Sequence, residues 1–352
     1  MSYNYAKKVA SINSIIEKRL KDGENTLQRA MIIASLKRFY PELKEEQYDS
    51  FLRSVLINQE LAWQEQSDVS ILTYCTISDN LDHLHTPAIY CSFHLSSYRL
   101  SLLYLLTLKK PITLLASQKV IDSQKEIISK YSSLASGNSP VKLINANSPH
   151  SLLSMAKDLK DGRSLFVFID GNTGAGIATE ETKLTPVRIL ESEILARSGV
   201  AHLSLITNTP IVPIITFRNE GEYPSIKVFP KLLPSERYTD RSIEADLLTR
   251  KIYSIADHLL KKYPEQWEPW LYLYNFVSKN HSKSNNEKVF KFNKNRYLFW
   301  NDKNKSYLID NVDYSVIELD SNTTKELQKD VICIENIQDS MLRNLITNQI
   351  II

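Results

Sequence analysis

His94 is the residue whose type and position best fit a general base. It follows an apolar run at residues 86–93 that resembles a short buried strand, and a helical pattern begins directly after it. Imidazole titrates near neutrality and can take a proton from a hydroxyl group. A buried or helix-capping histidine is the ordinary alternative.

Asp170 ends a second apolar run, residues 164–170, directly before a glycine-rich loop. The chain has only 8 glycines, and four of them fall between positions 162 and 176, which indicates unusual backbone angles there. Ligands of open α/β sheets bind at the carboxyl ends of the strands, and N–H groups of such a loop can hold a phosphate or an oxyanion. A strand-to-helix turn with Asp170 as helix cap is the alternative.

The surrounding segments alternate between strand and helix patterns. Apolar runs predict strands at 86–93, 111–116, 164–170, 209–218 and 225–229. Helical spacing of apolar residues predicts helices within 1–70 and at 95–108, 148–163, 192–206 and 244–263. This alternation predicts an α/β fold with a mainly parallel central sheet covered by helices.

Three motifs in chain order carry a resemblance to a known family. His94 comes first, Asp170 with Gly171 second, and a strand that begins with Pro210 and Pro213 third. This order resembles the lysophospholipid acyltransferase superfamily, which has a histidine block, an acid-glycine block and a Pro-x-x-Pro strand. The resemblance implies the glycerolipid acyltransferase-like α/β fold.

Further segments are similar to one branch of this superfamily, the lipid A late acyltransferases, which transfer lauroyl and myristoyl groups. They are Phe-Tyr-Pro-Glu at 39–42 before an acidic helix, Asp170 with Gly174, Gly-Val-Ala-His-Leu at 199–203, and Pro-Glu-Gln-Trp at 264–267. The resemblance covers about residues 30–277.

The resemblance implies transfer of a fatty acyl group from an acyl thioester to a hydroxyl or amine acceptor, without a cofactor or a metal. The donor would be acyl carrier protein or acyl-coenzyme A, the acceptor a lipid or a peptide, and His94 the general base. We expect the substrate to contact Ser96, Ser97, Arg99, Gly171, Asn172, Thr173 and Gly174. We expect an apolar acyl pocket partly walled by Leu103 and Leu106.

The sequence departs from the family at Arg99, which stands where the acid of the His-x4-Asp/Glu motif is expected. A guanidinium cannot accept the imidazole N–H, and it is always charged. Three readings follow. His94 works with a substitute acid such as Asp170, or Arg99 binds an anionic substrate group, or the chain is an inactive lipid-binding or scaffold protein.

The composition divides the chain into four parts. They are a helical segment at 1–70, the acyltransferase-like domain at 71–277, a polar linker at 278–286, and a small C-terminal α+β domain at 287–352. The last part carries a β-hairpin pattern and a helix that Asp320 or Ser321 would cap. It faintly resembles small peptide-recognition domains of peptide-maturation pathways, which implies a peptide acceptor in a natural-product pathway; an inert extension is the alternative.

Charge and cysteine content limit the possible binding partners and the cellular compartment of the protein. The net charge is only +3, which gives no electrostatic basis for binding nucleic acid. Cys75, Cys91 and Cys333 are widely spaced, which favours a reducing, cytoplasmic compartment, and we interpret Cys91 as a core residue. No apolar run reaches the roughly 18 residues of a membrane span, so we expect membrane contact to be peripheral, at the inner face.

Overall fold

A computed structural model of the protein describes residues 5–22, 26–66, 68–79, 82–134, 141–171, 184–219, 223–235, 240–275, 291–302, 305–329, 332 and 334–352. The chain forms two compact units. The first comprises Met1–Glu17 with Ser50–Pro269, and the second comprises Lys18–Asp49 with Trp270–Ile352. The four-part division derived from composition stays a prediction, and its linker at 278–286 lies outside the described residues.

The described helices alternate with strands over most of the first unit. The helices are α1 (Tyr5–Asp22), α2 (Leu27–Phe39), α3 (Tyr48–Glu65), α4 (Arg99–Thr107), α5 (Gln118–Ser123), α6 (Lys125–Leu134), α7 (Ser151–Lys160), α8 (Gly199–Thr207), α9 (Arg241–Lys262), α10 (Ser321–Leu327) and α11 (Asp339–Thr347). The strands are β1 (Thr76–Ser78), β2 (Ile89–Ser92), β3 (Ile112–Ala116), β4 (Lys142–Asn145), β5 (Ser164–Phe168), β6 (Leu184–Ile189), β7 (Ser192–Arg197), β8 (Ile211–Arg218), β9 (Pro224–Val228), β10 (Tyr297–Asp302), β11 (Lys305–Asp310) and β12 (Val316–Leu319).

The first unit is built on a seven-stranded sheet with strand order β1-β9-β8-β2-β5-β3-β4. Neighbouring strands are parallel throughout, except for the antiparallel pair β8 and β9. Helices flank this sheet, so the predicted α/β class with a mainly parallel central sheet is confirmed. All four residues of β2, the central strand, are buried, as expected for a strand covered on both faces.

Two predicted helices begin later than the sequence pattern suggests. Residues 95–98 precede α4 in an irregular segment in which Ser96 has a φ of 52°, a left-handed conformation that cannot continue a helix. Residues 192–197 form β7, which pairs with β6 in a hairpin before α8 begins at Gly199. Period-two alternation in the hairpin, not helical spacing, explains the apolar residues there.

The second unit contains an antiparallel sheet of order β10-β11-β12 followed by α10 and α11. The predicted strand pair is therefore present, with Tyr297 opposite Asp310 and Asp302 opposite Lys305. Asp320 caps α10, because its Oδ1 accepts from the backbone N–H groups of Asn322 and Thr323, both at 2.9 Å.

Candidate active site

His94 and Asp170 meet because they follow neighbouring parallel strands in the same register. Ser92 at the end of β2 pairs with Phe168 at the end of β5, and each functional residue lies two positions further on. The Nδ1 atom of His94 lies 2.7 Å from Oδ1 of Asp170. The sheet therefore brings the two sequence-predicted residues together at its carboxyl edge.

Asp170 is fully buried and accepts hydrogen bonds from three donors among the described residues. Besides the imidazole, these are the backbone N–H of His94, 2.9 Å from Oδ2, and the indole Nε1 of Trp267, also 2.9 Å from Oδ2. An ionised aspartate only accepts hydrogen bonds, so Nδ1 of His94 carries the proton in this arrangement and Nε2 is the ring nitrogen that can accept one.

Gly171 leaves room for the imidazole ring. A Cβ atom at this position would lie 3.0 Å from Cε1 of His94 and 3.8 Å from both ring nitrogens. Glycine at this position thus lets the imidazole pack directly against the backbone that follows Asp170.

His94 lines a cavity of about 490 Å³. This volume is typical of a site for a small molecule or a cofactor. Most of its wall is apolar, and the apolar side chains include Leu102, Leu114, Leu115, Ile127, Ile128, Leu152, Met155, Leu165, Val167, Phe168, Ile169 and Leu203. A long apolar group would be removed from water here.

The cavity crosses the carboxyl edge of four adjacent strands. Its lining includes one residue beyond each of them, His94 after β2, Gly171 after β5, Ser117 after β3 and Ala146 after β4. Three strand spacings of about 4.8 Å give a width of about 14 Å for this part of the sheet edge.

Arg99 lies on the cavity wall against aromatic rings. Its Cζ atom is 4.5 Å from the ring centre of Tyr98 and 5.2 Å from that of Trp63. The Nη1 atom is buried and has no hydrogen-bond partner among the described residues. Because the His94 ring centre is 4.6 Å from the same Tyr98 ring, the imidazole and the guanidinium are at most about 9 Å apart.

A second arginine and two tyrosines shape the electrostatics of the cavity. Burial lowers the pKa of Arg197, which precedes α8 and lines the wall. Burial raises the pKa of Tyr131 to about 12, against the opposing effect of Arg99, and raises the pKa of Tyr98 as well. Both phenols therefore stay neutral near pH 7, and the described charged groups on the wall are cationic or histidine.

Ser96 and Ser97, which were expected to contact substrate, are both buried and are not among the residues that line this cavity. Ser97 donates to Glu65, and Arg218 donates to the Ser97 hydroxyl at 3.2 Å and to Glu65 at 2.6 Å. Ser96 is 4 % exposed, and its N–H donates to the carbonyl of Gln266 at 2.8 Å.

The predicted pocket residues Leu103 and Leu106 belong to the core and do not line this cavity. Both are fully buried, in the cluster that contains Tyr90 and Phe166. Leu102, on another side of α4, lines the cavity instead, because successive helix residues point in directions about 100° apart.

Asn172, Thr173 and Gly174, the remaining residues of the predicted glycine-rich site, lie outside the described residues. Within the described part of the chain, no group of three or more histidine, cysteine or acidic side chains could hold a metal ion. No described helix has both the length and the apolar character that a membrane span requires.

Three contributors to the site have no predicted role. Trp267 belongs to a segment that the family resemblance singled out. Its contact with Asp170 could not be predicted, because no pattern of neighbouring residues indicates it. Glu65 and Arg218 form a buried ion pair across 153 positions, a separation at which sequence periodicity carries no signal.

Comparisons with known proteins identify a distant structural similarity only. No family model matches the sequence, and no curated protein matches it. Among solved structures, the chain is similar to the 1-acyl-sn-glycerophosphate (LPA) acyltransferase PlsC from Thermotoga maritima. The match has 11% sequence identity and a TM-score of 0.32, and it covers 65% of this chain and 94% of that chain. A similarity this distant carries no argument about activity.

Proposed function

We propose that this protein is an acyltransferase that moves a fatty acyl group from an acyl thioester to a hydroxyl or amine. The observation that carries the proposal is the His94–Asp170 pair, joined at 2.7 Å, with His94 on the wall of a mainly apolar cavity of about 490 Å³. A base held by a buried carboxylate and an apolar channel are the two parts that such a reaction needs.

His94 acts as the general base. Its Nδ1–H donates to Asp170, so its Nε2 can accept a proton from the acceptor hydroxyl or amine. As it does so, the oxygen or nitrogen of the acceptor attacks the thioester carbonyl carbon. The tetrahedral intermediate then expels the thiolate, which takes the proton from the imidazolium. Asp170 stabilises the imidazolium and fixes the tautomer, the role of the acid in a Ser-His-Asp triad.

The cavity holds the acyl chain. Each methylene removed from water contributes about 0.8 kcal/mol, so the apolar wall favours a long chain over a short one. Leu102 and Met155 are two of its lining residues.

Arg99 binds an anionic group of a substrate, either a phosphate of the donor or a carboxylate of the acceptor. Its buried Nη1 has no hydrogen-bond partner among the described residues, and the Trp63 and Tyr98 rings lie against the guanidinium. Planar guanidinium suits such groups because it can form two parallel hydrogen bonds.

The substrates and the location follow from this chemistry as further proposals. The donor is acyl carrier protein or acyl-coenzyme A, and the acceptor is a lipid or a peptide. We place the protein in the lipid A late acyltransferase branch of the lysophospholipid acyltransferases, acting in the cytoplasm with peripheral membrane contact. The altered His-x4-Asp/Glu motif distinguishes it within that branch.

Thioester turnover tests the proposal. Wild type is incubated with acyl-coenzyme A and with acyl carrier protein thioesters, and with lipid hydroxyl and peptide amine acceptors. We expect His94→Ala to lower turnover by ~10²–10⁴-fold and Asp170→Asn to lower it by up to ~10⁴-fold. His258→Ala, at an exposed histidine on α9, is the matched control and should leave turnover unchanged.

Two outcomes would contradict the proposal. Turnover that survives His94→Ala eliminates His94 as the base. A wild-type protein that binds acyl thioesters in native mass spectrometry, but transfers no acyl group to either acceptor class, is the inactive lipid-binding or scaffold protein of the alternative reading.

A further inference from the structure

We propose that Trp267 is a positioning residue of the candidate active site, whose indole N–H holds Asp170 in the orientation that receives the Nδ1 proton of His94. The inference rests on the proposed acyl-transfer role of His94. It concerns a residue that does not line the described cavity and whose indole N–H acts through Asp170.

The two oxygens of Asp170 have separate side-chain donors. His94 Nδ1 lies 2.7 Å from Oδ1, and Trp267 Nε1 lies 2.9 Å from Oδ2. The terminal torsion of an aspartate is broad, so one hydrogen bond does not fix the plane of its carboxylate. The His94 backbone N–H lies between the two oxygens, 3.1 Å from Oδ1 and 2.9 Å from Oδ2, and the indole N–H adds a side-chain donor on Oδ2. Together these donors fix the carboxylate plane, and thereby the direction in which Oδ1 meets the imidazole.

Trp267 is itself held by the backbone of the His94 segment. Leu95 and Trp267 form an antiparallel bridge, flanked by two hydrogen bonds. Glu268 N–H donates to the carbonyl of His94 at 2.9 Å, and Ser96 N–H donates to the carbonyl of Gln266 at 2.8 Å. The same three-residue segment, 266–268, thus fixes the backbone of the base and the side chain of its acid.

The side chain of Gln266 ties this segment to the sheet. Its Oε1 accepts from the Arg218 N–H at 2.9 Å, and its Nε2 donates to the Arg218 carbonyl at 2.6 Å. Arg218 is the last residue of β8, the strand beside β2. The indole is therefore anchored to the same sheet that carries His94 and Asp170.

A purely structural role makes a different prediction. Trp267 is 1% exposed and large, so any substitution lowers stability through packing. A packing role predicts that the folded fraction of a variant keeps its kcat and its histidine tautomer. A positioning role predicts that both change.

The test compares Trp267→Phe with Trp270→Phe. Trp270 is equally buried and is not a hydrogen-bond donor to Asp170 in the described part of the chain. For Trp267→Phe we expect kcat to fall on the order of 10- to 100-fold, because this rate factor corresponds to the free energy of one hydrogen bond to a charged group. KM should stay unchanged within about twofold. Trp270→Phe should change melting temperature but neither kinetic constant.

A double-mutant cycle shows whether Trp267 acts through Asp170. In an Asp170→Asn background, Trp267→Phe should change kcat by less than about twofold, because residues that act as one unit are not additive. Equal effects of Trp267→Phe in both backgrounds would overturn the proposal.

Nitrogen-15 NMR of the histidine ring supplies a readout that does not require activity. His94 should hold its proton on Nδ1 in wild type and in Trp270→Phe, and show a mixed tautomer population in Trp267→Phe. If Trp267→Phe does not fold, the indole N–H signal of Trp267 in wild type should shift in Asp170→Ala while that of Trp270 stays. An unchanged tautomer, or an unshifted indole signal, rejects the positioning role even if the wild-type protein transfers no acyl group.

Discussion

Nδ1 of His94 lies 2.7 Å from Oδ1 of Asp170, although 76 residues separate them in the chain. The parallel pairing of Ser92 with Phe168 places both residues the same distance beyond their strands. The carboxylate that meets the histidine thus comes from the adjacent strand and not from the following helix turn, where Arg99 stands. Arg99 is consequently available for another task on the same cavity wall.

Substitutions of Arg99 distinguish an anion-binding role from a decayed site, in which Arg99 has simply replaced the acid of the His-x4-Asp/Glu motif and the protein is inactive. If Arg99 binds a substrate anion, Arg99→Lys should raise KM about tenfold, because a point charge replaces the planar fork, and Arg99→Glu should lower activity further. Steady-state kinetics with a single donor measures both. Arg188→Lys, at a residue with a 65%-exposed side chain, is the matched control and should have no effect.

The decayed-site reading predicts the opposite sign for Arg99→Glu. That variant restores the His-x4-Glu spacing of the family, so thioester cleavage would rise rather than fall. A rise in cleavage would therefore reject the anion-binding role while keeping His94 as the base.

Gly171→Ala tests how tightly the imidazole is held. The added Cβ would lie 3.0 Å from Cε1 of His94, so the ring must shift by a few tenths of an ångström or tilt away from Asp170. We expect a kcat loss on the order of tenfold, since a misplacement of about 1 Å can cost ~10²-fold in rate and this shift is smaller. A crystal structure of the variant should show a longer Nδ1 to Oδ1 distance.

Gly199→Ala is the matched control for this prediction, because a Cβ atom at that position meets no atom within 4 Å. Equal losses of kcat in the two variants would mean that contact with the imidazole is not the cause.

The sequence singled out His94 and Asp170 through the family resemblance and through apolar runs at 86–93 and 164–170 that resemble buried strands, and the structure brings the two residues together. It could not predict that β2 and β5 are neighbours, since strand order depends on packing across the whole unit. Trp267 is a case of the same kind. Its contact with Asp170 spans 97 residues, and no periodic pattern encodes a contact at that distance.

The two local errors have a common cause in backbone conformation. Two-residue hairpin turns usually contain Asn or Gly, but the β6–β7 turn places Leu190 at a φ of 52°, so the expected turn signal is absent. Ser96 has the same left-handed conformation without glycine, and it delays the start of α4. A prediction from sequence patterns depends on residue type, and at both positions a residue that rarely adopts the left-handed conformation does so.

Met155 offers a test of the acyl channel. Its side chain lines the cavity from α7, whereas Leu153 on the same helix is 71% exposed and does not line it. Met155→Trp should shorten the longest acyl chain that the protein retains, with short chains bound as before, because each methylene left in water forfeits about 0.8 kcal/mol. Native mass spectrometry with a series of saturated acyl thioesters measures this limit.

Leu153→Trp is the control and should leave the chain-length limit unchanged. An identical limit in Met155→Trp and in wild type would place the acyl chain outside this cavity.

The final prediction concerns Lys110, which lies in a polar cluster at the amino end of the sheet. Its Nζ donates to the carbonyls of His83 and Thr86 at 2.8 and 3.2 Å and to the Tyr90 hydroxyl at 3.1 Å. Burial lowers the pKa of Lys110 to about 8 from its usual 10.5. Folding therefore carries a cost below pH 8, where the lysine is charged in both the folded and the unfolded state.

As pH rises from about 8 towards 10, the folded protein loses the Lys110 proton before the unfolded chain does, so the free energy of unfolding should increase. Lys110→Met abolishes this titration. The difference in unfolding free energy, wild type minus variant, should therefore grow across this range in urea titrations, whereas the difference for Lys119→Met, at an exposed lysine of α5, should stay constant. The three acceptors around the Lys110 Nζ favour the charged form and oppose the effect of burial. A Lys110→Met difference that stays flat or falls with pH would show that these hydrogen bonds outweigh desolvation.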